Sequence, residues 1–413
     1  MHTPQAHKDM LPHSFVDSLF MSASAVCVTG LTTIDIYTNY TIFGQMILLF
    51  LFQIGGLGYM TLATVVASLI GRVSLKDRLI LREVIDLQSF EGIRVLLKYI
   101  LAITVVFESI GAIILTACFL PQMTLLKAVY FGIFHSVSAF NNCGMGLWNN
   151  SLEGFRSDPV VLITAMFLII SGGLGFLVIN ELLHYRKVKR LSVHTRVVLF
   201  STAALIAIGT IYIFAAEFTN QRTLGPLPLG EKILTACFQA VVPRTAGFNS
   251  VPISGMHEMT LFFLLILMFI GASPGGTGGG IKTTTFAIIV STIWATIRGR
   301  QETNLLNGRI SDETIKKSIT ISSLAITMLF ISSALIFSIE KYRFLDILFE
   351  VTSALGTVGL STGITSRLSD ASKLIIVATM LIGRIGPLTI GIALLQKDDT
   401  LPYKYPEERV MIG

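Results

Sequence analysis

Residues 346–360 read DILFEVTSALGTVGL, an apolar run that is too short to cross a bilayer and ends at a glycine. A spanning helix needs about 20 apolar residues, whereas roughly 11–14 precede the loop here, which suits a helix that enters the membrane and turns back. Three other segments align with this one: DSLFMSASAVCVTGL at 17–31, FGIFHSVSAFNNCGM at 131–145 and LTACFQAVVPRTAGF at 234–248. The sequence therefore predicts four re-entrant helices, each followed by an extended loop.

The four aligned glycines are regularly spaced. Gly30, Gly144, Gly247 and Gly359 lie 114, 103 and 112 residues apart, and three of the segments share Phe-x-x-x-Ser-Ala before the glycine. The segment at 234–248 keeps only the glycine. An internal repeat on this scale usually means that the fold itself is repeated.

A second set of glycines follows the first. QIGGLGY at 53–59, ISGGLGF at 170–176, FIGASPG at 269–275 and LIGRIGP at 381–387 place Gly55, Gly172, Gly271 and Gly383 at 25, 28, 24 and 24 residues after the first set. Glycine is common in transmembrane helices, but this abundance does not explain why the second set follows the first at a nearly constant distance. The two sets together define one repeating unit.

The composition indicates that much of the surface of this chain faces lipid. Of its 413 residues 52% are hydrophobic and 14% are charged, against about 25% charged residues in soluble domains. We predict seven spans, at 43–69, 95–120, 159–183, 196–217, 259–297 (interrupted), 316–339 and 372–395. Residues 1–13 lack the apolar core of a signal peptide.

The predicted fold is an all-α integral membrane protein with four pseudo-symmetric helix–pore helix–filter–helix repeats around a central pore. The repeats are expected at 1–70, 95–183, 195–297 and 315–396, followed by a C-terminal tail at 397–413. No spanning candidate precedes the first re-entrant helix, so the outer helix of repeat one is expected to be missing from this chain.

The positive charge of the chain is concentrated in a few segments. The net charge is +6, and Lys and Arg crowd into 71–94, 184–196, 298–317 and the tail. Cytoplasmic loops retain basic residues, so these segments are predicted to face the cytoplasm. The positive charge thus reflects the orientation of the chain in the membrane. The expected partner is membrane lipid and not nucleic acid.

The loops after the re-entrant helices suit a monovalent cation. Non-helical backbone at membrane depth is tolerated where it lines water or is buried in protein, and carbonyl oxygens can replace the hydration shell of K⁺. None of the four loops carries an acidic side chain. The predicted filter consists of Val28, Thr29, Gly30, Asn142, Cys143, Gly144, Thr245, Ala246, Gly247, Thr357, Val358 and Gly359.

These residues carry a family resemblance. The stretches AVCVTGL (25–31), PRTAGFN (243–249), SALGTVGL (353–360) and GRIGPLT (383–389) resemble the Trk/Ktr/HKT potassium transporter superfamily, and within it the membrane subunit of bacterial Ktr systems. The resemblance covers nearly the whole chain. It implies K⁺ uptake across a bacterial plasma membrane, Na⁺ as a coupling or activating ion, a homodimer with one pore per subunit, and a cytoplasmic ring of regulatory subunits that bind adenine nucleotides. It also implies that glycine at all four filter positions favours K⁺, since serine at the first accompanies Na⁺ preference in some relatives.

The stretch from Gly271 to Thr285 reads GASPGGTGGGIKTTT. Ile281 separates glycine from lysine, so the stretch departs from a phosphate-binding loop. Glycine and proline disfavour helix, and the resemblance implies an intramembrane gate here. The predicted gate residues are Gly275, Gly276, Thr277, Gly278, Gly279, Gly280, Lys282 and Arg384, and a packing kink is the alternative.

Charged residues inside spans need partners or a function. Arg384 is expected to dock on gate carbonyls or line the pore, with a structural salt bridge or snorkelling as the alternative. Glu108 is expected to pair two helices. Arg244, Asn141 and Asn142 are expected to brace filter loops, and His135 to be a packing residue.

Other classes of function fit less well. The chain shows no arrangement of catalytic residues, so we predict that it is not an enzyme, and no cofactor is expected apart from the transported ion. The four cysteines have no metal-ligand spacing. An alternating-access cation carrier is the alternative, because broken helices also mark carrier binding sites. Carriers usually show paired breaks, whereas only one span here is expected to be strongly broken.

Overall fold

The computed structural model describes residues 1–9, 13–58 and 91–386, without the side chains of 91–97 and 187–188. The predicted tail at 397–413 and the ends of the predicted spans 43–69 and 372–395 lie outside these residues. The described chain is mostly helical. Its helices are α1 (Phe15–Val26), α2 (Ile36–Asn39), α3 (Ile42–Leu57), α4 (Glu91–Phe119), α5 (Leu125–Phe140), α6 (Pro159–Leu174), α7 (Phe176–Val188), α8 (Val193–Glu217), α9 (Leu229–Val241), α10 (Glu258–Phe269), α11 (Thr283–Ile297), α12 (Asp312–Ile339), α13 (Phe344–Gly356) and α14 (Asp370–Ile385). One short hairpin, β1 (Asn304–Leu305) and β2 (Gly308–Arg309), follows α11.

Local sequence signals set where many of these helices begin. The side chains of Ser14, Thr41, Asp158, Ser192 and Ser311 each accept a backbone N–H from the first turn of the helix that follows. These bonds satisfy donors that have no partner inside the helix. The N-terminal caps therefore place the re-entrant, inner and outer helices at the positions that the repeat pattern predicts.

Each re-entrant helix packs against the inner helix of the preceding repeat, and those of repeats two, three and four also pack against their own outer helix. Outer helices α4, α8 and α12 lie on α5, α9 and α13. Inner helices α3, α6 and α10 also reach α5, α9 and α13, and α14 of the fourth repeat packs on α1 of the first. This last contact closes the four units into a ring. An ion pair of 2.7 Å between Lys373 of α14 and Asp17 of α1 joins the two helices there.

The end of α1 is less covered than its counterparts. Val26 is 40% exposed, whereas Phe140 and Leu355, which also lie four residues before a filter glycine, are 0% and 4% exposed. No outer helix covers α1 within the part of the chain that the structure describes. Apolar side chains of α1 and α3, including Phe15 and Phe50, are exposed.

The long uninterrupted helices are the outer ones. By length and composition, Lys98–Gln122, Val193–Glu217 and Asp312–Ile339 can each cross a membrane among the described residues. The pair Pro159–Leu174 and Phe176–Arg186 also qualifies if it is counted as one span, but it bends by 100°. The prediction of a continuous span over 159–183 was therefore wrong.

Three of the inner helices end at equivalent glycines, and in repeat two a further helix follows after a bend of 100°, which corrects the expectation of a single strongly broken span. Gly58, Gly175 and Gly386 end α3, α6 and α14 with φ of 83°, 96° and 98°. Each lies three residues after a glycine of the second set. Glycine adopts positive φ readily because it has no Cβ, so the chain can leave the helix at these points. In the third repeat α10 ends at Phe269, and helix resumes at Thr283.

Candidate functional site

The four predicted filter loops share one backbone conformation. The residue two before each glycine has positive φ: Val28 (57°), Asn142 (58°), Thr245 (73°) and Thr357 (50°). The glycines follow with φ of 88°, 75°, 70° and 94°. Positive φ is uncommon for a residue with a side chain, and for a β-branched residue it marks a backbone held by its surroundings. The same departure from ordinary geometry thus occurs four times.

Hydrogen bonds at the end of each re-entrant helix hold this conformation. In three repeats the residue before the glycine donates its N–H across 2.8 Å to the carbonyl five residues earlier: Thr29 to Ser24, Cys143 to Ser138 and Val358 to Ser353. In the third repeat Ala246 donates to Val242 at 2.9 Å, four residues earlier. The exception is the repeat whose segment lacks the Ser-Ala motif, so motif and hydrogen-bond pattern vary together.

The four glycines form a closed ring. A Cβ atom placed on Gly247 would lie 2.6 Å from the carbonyl oxygen of Val358, 3.2 Å from Cα of Gly359 and 3.3 Å from Cα of Gly144. The same relation runs around the ring, since Gly30 faces the carbonyl of Cys143, Gly144 faces that of Ala246 and Gly359 faces that of Thr29. Each glycine therefore abuts the carbonyl group of the adjacent repeat, which leaves no room for a side chain.

The second set of glycines lets the inner helices approach the filter. A Cβ on Gly55, Gly172 or Gly383 would collide with a carbonyl oxygen of Val26, Phe140 or Leu355, respectively. These carbonyls all lie four residues before a filter glycine. Gly271 is the exception, because it faces Gly279 and Gly280 of its own loop. Three of the four glycines therefore have the same role, and the fourth lies where the inner helix is interrupted.

The loop at 271–282, which we call the inner loop, packs against repeat two. Ser273 and Thr277 donate their N–H groups to the carbonyls of Gly173 and Gly172 at 2.9 and 3.0 Å, and Phe176 donates to the carbonyl of Gly275 at 3.0 Å. Thr277 also donates its hydroxyl to the carbonyl of Phe140 at 3.1 Å. The bend after α6 at Gly175 thus provides the backbone groups that hold the inner loop.

The inner loop also touches repeats three and four. A Cβ on Gly278 or Gly279 would collide with the hydroxyl of Thr245 or Thr357, so the loop abuts the filters of repeats three and four. The guanidinium of Arg384 in α14 donates to the carbonyl of Thr277 at 2.5 Å and to that of Gly55 in α3. Arg384 therefore ties the loop to repeats four and one.

Lys282 bonds inside the inner loop itself. Its ammonium donates to the carbonyl of Gly278 at 2.8 Å. The hydroxyls of Ser273 and Thr283 lie 2.9 Å apart across the neck of the loop. Gly271 and Ala272 donate their N–H groups to the carbonyls of Ile281 and Gly279, and these backbone bonds join the two ends of the loop. The glycine-rich segment is therefore an ordered structure with defined internal bonds.

Several hydroxyls of the predicted filter loops lack a protein partner among the described residues. The hydroxyls of Thr29, Thr245 and Thr357 are buried and have no hydrogen-bond partner among the described residues. A buried polar group of this kind usually has a partner. Oxygen is the ligand that alkali cations take in protein filters. These hydroxyls can therefore serve a hydrated or partly dehydrated cation.

The remaining predicted residues lie around the filter with other partners. Arg244 donates to the hydroxyl of Thr202 in α8 at 3.2 Å. It therefore bonds the outer helix, whereas we had expected it to bond filter carbonyls. Asn141 donates to Glu108 at 2.9 Å, which gives Glu108 a partner on another helix as expected. The side-chain amide of Asn142, oriented with its nitrogen toward two carbonyls, donates to Ala139 in α5 and to Ile169 in α6.

The glycines that end the inner helices were missed by sequence reasoning. The signal was present, since Gly58, Gly175 and Gly386 each follow a second-set glycine by three residues.

Within the described residues no group of three or more metal-ligating side chains occurs.

Comparison with known proteins gives the chain a family context. The TrkH family profile, described as a cation transport protein, matches residues 2–400. The chain is 39% identical over 403 residues to Ktr system potassium uptake protein B of Bacillus subtilis, covering 97% of this chain and 90% of that protein. It is 35% identical over 406 residues to potassium/sodium uptake protein NtpJ of Enterococcus hirae, covering 97% and 90%. The crystal structure of the potassium transporter TrkH from Vibrio parahaemolyticus matches with a TM-score of 0.70 at 18% identity, covering 93% of this chain and 79% of that one. This structural match confirms the predicted fold class.

Proposed function

This chain belongs to the TrkH family of cation transport proteins, and from that premise we propose that it takes up K⁺ through a filter of backbone carbonyls. The observation that carries the proposal is the ring of Gly30, Gly144, Gly247 and Gly359, in which each glycine abuts the carbonyl of the next repeat. Such a ring supplies oxygen ligands at close quarters. The family is one of transporters and not of enzymes.

The chemistry of the loops favours a monovalent cation. The filter segments 28–31, 142–145, 245–248 and 357–360 contain no carboxylate. The re-entrant helices also point their C-terminal ends at the ring, and the partial negative charge there, about half an elementary charge per helix, favours a cation. Two relatives are named for potassium uptake and potassium/sodium uptake, so we propose K⁺ as the transported ion and Na⁺ as a coupling or activating ion.

The proposed function is tested by rescue of growth. A bacterium without its own K⁺ uptake systems, kept at limiting K⁺, receives this protein alone or with a Ktr-type regulatory subunit. Growth and uptake of radioactive Rb⁺ should increase, most strongly with the regulatory subunit. Absence of uptake in both strains, with the protein shown to be in the membrane, would contradict the proposal.

An alternating-access carrier is the alternative. The bend at Gly175 and the interruption at 270–282 are paired breaks of the kind that carriers show. A carrier's rate is limited by its conformational cycle, whereas a pore is not. Rb⁺ flux per protein in proteoliposomes that keeps rising with concentration favours the pore, and saturation at a slow turnover favours the carrier.

We propose further that the inner loop is the gate. Its support is that the loop contacts the filters of repeats three and four, the backbone of repeat two and Arg384, which also bonds Gly55 of repeat one. A segment held by repeats two, three and four beneath a filter, and connected to repeat one through Arg384, can obstruct an ion path and respond to movement of these repeats. A packing kink, the alternative, requires only bonds to its own helix.

Two variants test the gate. Deletion of 272–284 removes the obstruction, and Arg384→Gln removes the charge that holds Thr277 while leaving the loop in place. Both should raise Rb⁺ flux without the regulatory subunit and reduce the dependence on nucleotide. Arg298→Gln, at the exposed residue that follows α11, is the matched control and should behave like wild type. Unchanged flux in both test variants would support the packing kink.

The remaining assignments follow from the family and from charge placement. We propose a homodimer that works with a cytoplasmic ring of nucleotide-binding regulatory subunits in a bacterial plasma membrane. The basic segments 71–94, 184–196 and 298–317 and the tail would face the cytoplasm. The repeat boundaries at 1–70, 95–183, 195–297 and 315–396 and the tail at 397–413 are part of this proposal.

A further inference from the structure

Two buried polar residues occupy the same position in different repeats. His135 in α5 and Glu350 in α13 each lie nine residues before a filter glycine, and they are 3% and 1% exposed. The equivalent residues in repeats one and three are Met21 and Phe238, which are apolar and fully buried. The pattern therefore alternates around the ring, polar in repeats two and four and apolar in repeats one and three.

Both polar residues accept a hydrogen bond from the same place beyond the filter. Nε2 of His135 accepts from the N–H of Leu147 at 3.2 Å, and Oε1 of Glu350 accepts from the N–H of Thr362 at 3.0 Å. Leu147 and Thr362 each lie three residues after their filter glycine. The two side chains thus have the same role, which is to hold the backbone three residues after the filter glycine.

The rest of each side chain is also bonded. Nδ1 of His135 lies 2.8 Å from the carbonyl of Phe131, one turn earlier in α5, which makes Nδ1 the donor and leaves Nε2 as the acceptor. Glu350 receives the hydroxyls of Ser361 and Thr365 at 2.6 Å each. Glu350 thus accepts from three groups of the chain beyond the filter, whereas His135 accepts from one, so repeat four is held by more bonds than repeat two.

A second pair of bonds repeats the alternation. The serine six residues before the glycine donates to the carbonyl of Met145 at 2.6 Å in repeat two, as Ser138, and accepts from the N–H of Gly359 at 3.0 Å in repeat four, as Ser353. Its counterpart in repeat one, Ser24, is buried with no partner among the described residues. Repeats two and four are therefore braced at two levels.

The braced repeats face each other across the pore. Gly144 contacts Gly247, Gly247 contacts Gly359 and Gly359 contacts Gly30, so Gly144 and Gly359 occupy opposite corners of the ring. We propose that His135 and Glu350 are positioning residues that set the width of the filter across this diagonal and so contribute to discrimination between K⁺ and Na⁺. This inference rests on the proposed function of the ring as a K⁺ filter.

The test measures an ion ratio instead of an activity. His135→Leu and Glu350→Leu remove the side-chain acceptor for the backbone N–H beyond the filter. His135→Gln and Glu350→Gln place an amide oxygen close to the position of that acceptor. Purified protein in liposomes is assayed for initial Rb⁺ and Na⁺ uptake at equal concentrations. The Rb⁺/Na⁺ ratio should fall about ten-fold in the leucine variants, as the loss of about 1.4 kcal/mol of discrimination predicts, and recover in the glutamine variants.

Matched controls separate positioning from folding. Phe238→Leu and Met21→Leu change the same position in the unbraced repeats and should leave the ratio unchanged. Ser361→Ala removes one donor to Glu350 without altering a re-entrant helix, and it should lower the ratio even if Glu350→Leu does not fold. An unchanged ratio in Ser361→Ala and in every folded His135 and Glu350 variant would overturn the inference.

Failure of the inference can be told from failure of the filter. Gly359→Ala alters the ring directly and is assayed beside the other variants. If it changes the ratio while the His135 and Glu350 variants do not, the filter stands and the bracing role is wrong. If it also leaves the ratio unchanged, the proposed filter itself is wrong.

Discussion

Crowding at the glycine ring can be separated from backbone strain by two glycines of the fourth repeat. Gly359 lies in the ring with φ of 94°, and Gly363 lies four residues later with φ of 95°. A Cβ on Gly363 would meet nothing within 4 Å. A Cβ on Gly359 would lie 3.1 Å from Cα of Gly30 and 3.2 Å from Cα of Gly247, and would collide with the carbonyl of Thr29. The two positions thus share a backbone conformation and differ in their surroundings.

The expected costs follow from this difference. Either alanine substitution places an L-residue at positive φ, which costs roughly 1–2 kcal/mol. Gly359→Ala adds the overpacking of a rigid site, typically about 1–3 kcal/mol, because the atoms it meets are backbone atoms that cannot rotate away. If the ring opens to relieve this overlap, the carbonyl oxygens move apart and their match to dehydrated K⁺ is lost.

The assay compares the two variants in the same liposomes. We expect Gly363→Ala to keep the wild-type Rb⁺/Na⁺ uptake ratio and to lose a little thermal stability. We expect Gly359→Ala to lose about ten-fold or more of the ratio, which corresponds to about 1.4 kcal/mol. Equal ratios for Gly359→Ala, Gly363→Ala and wild type would refute the reasoning, because crowding would then have no effect on selectivity.

Two stability predictions concern contacts outside the filter. The pair Asp17–Lys373 closes the ring of repeats with side chains 19% and 9% exposed. Lys373→Met should destabilise the protein by about 1–3 kcal/mol, the cost of losing a hydrogen bond to a charged group, because Asp17 is partly exposed and keeps its bond from Ser14. The double variant Asp17→Asn with Lys373→Met should recover part of this in a thermal unfolding assay, and equal loss in single and double variants would show that the pair is not coupled. Glu217 at the end of α8 is fully buried and accepts from Asn220, Thr223, Thr260 and the N–H of His257. Glu217→Leu leaves these donors without a partner and should lower the melting temperature more than Glu340→Leu. Glu340 lies half-buried at the end of α12 and accepts from the N–H and hydroxyl of Ser369, so an equal decrease would contradict the role of Glu217.

The sequence by itself determined the repeat, the class of protein and the family. Two sets of glycines in constant phase, low charge and short apolar segments ending at Gly30, Gly144, Gly247 and Gly359 were sufficient, because each is a property of residues close together in the chain. The comparisons with known proteins confirmed the family and the fold class. The filter and gate residues stay predictions, supported by the geometry and open to the tests above.

The tertiary structure decided how the units meet. The ring order of the glycines, the bond from Arg384 to both Thr277 and Gly55, and the shared bonds of His135 and Glu350 join residues from separate helices or from either side of a loop. A periodic pattern reports which face of an element is apolar but not which distant group it will touch. For the same reason the expectation for Arg244 missed its bond to Thr202, and a span drawn straight through Gly175 missed a bend of 100°. Hydropathy records that a segment is apolar, whereas a single glycine at positive φ determines where its helix ends.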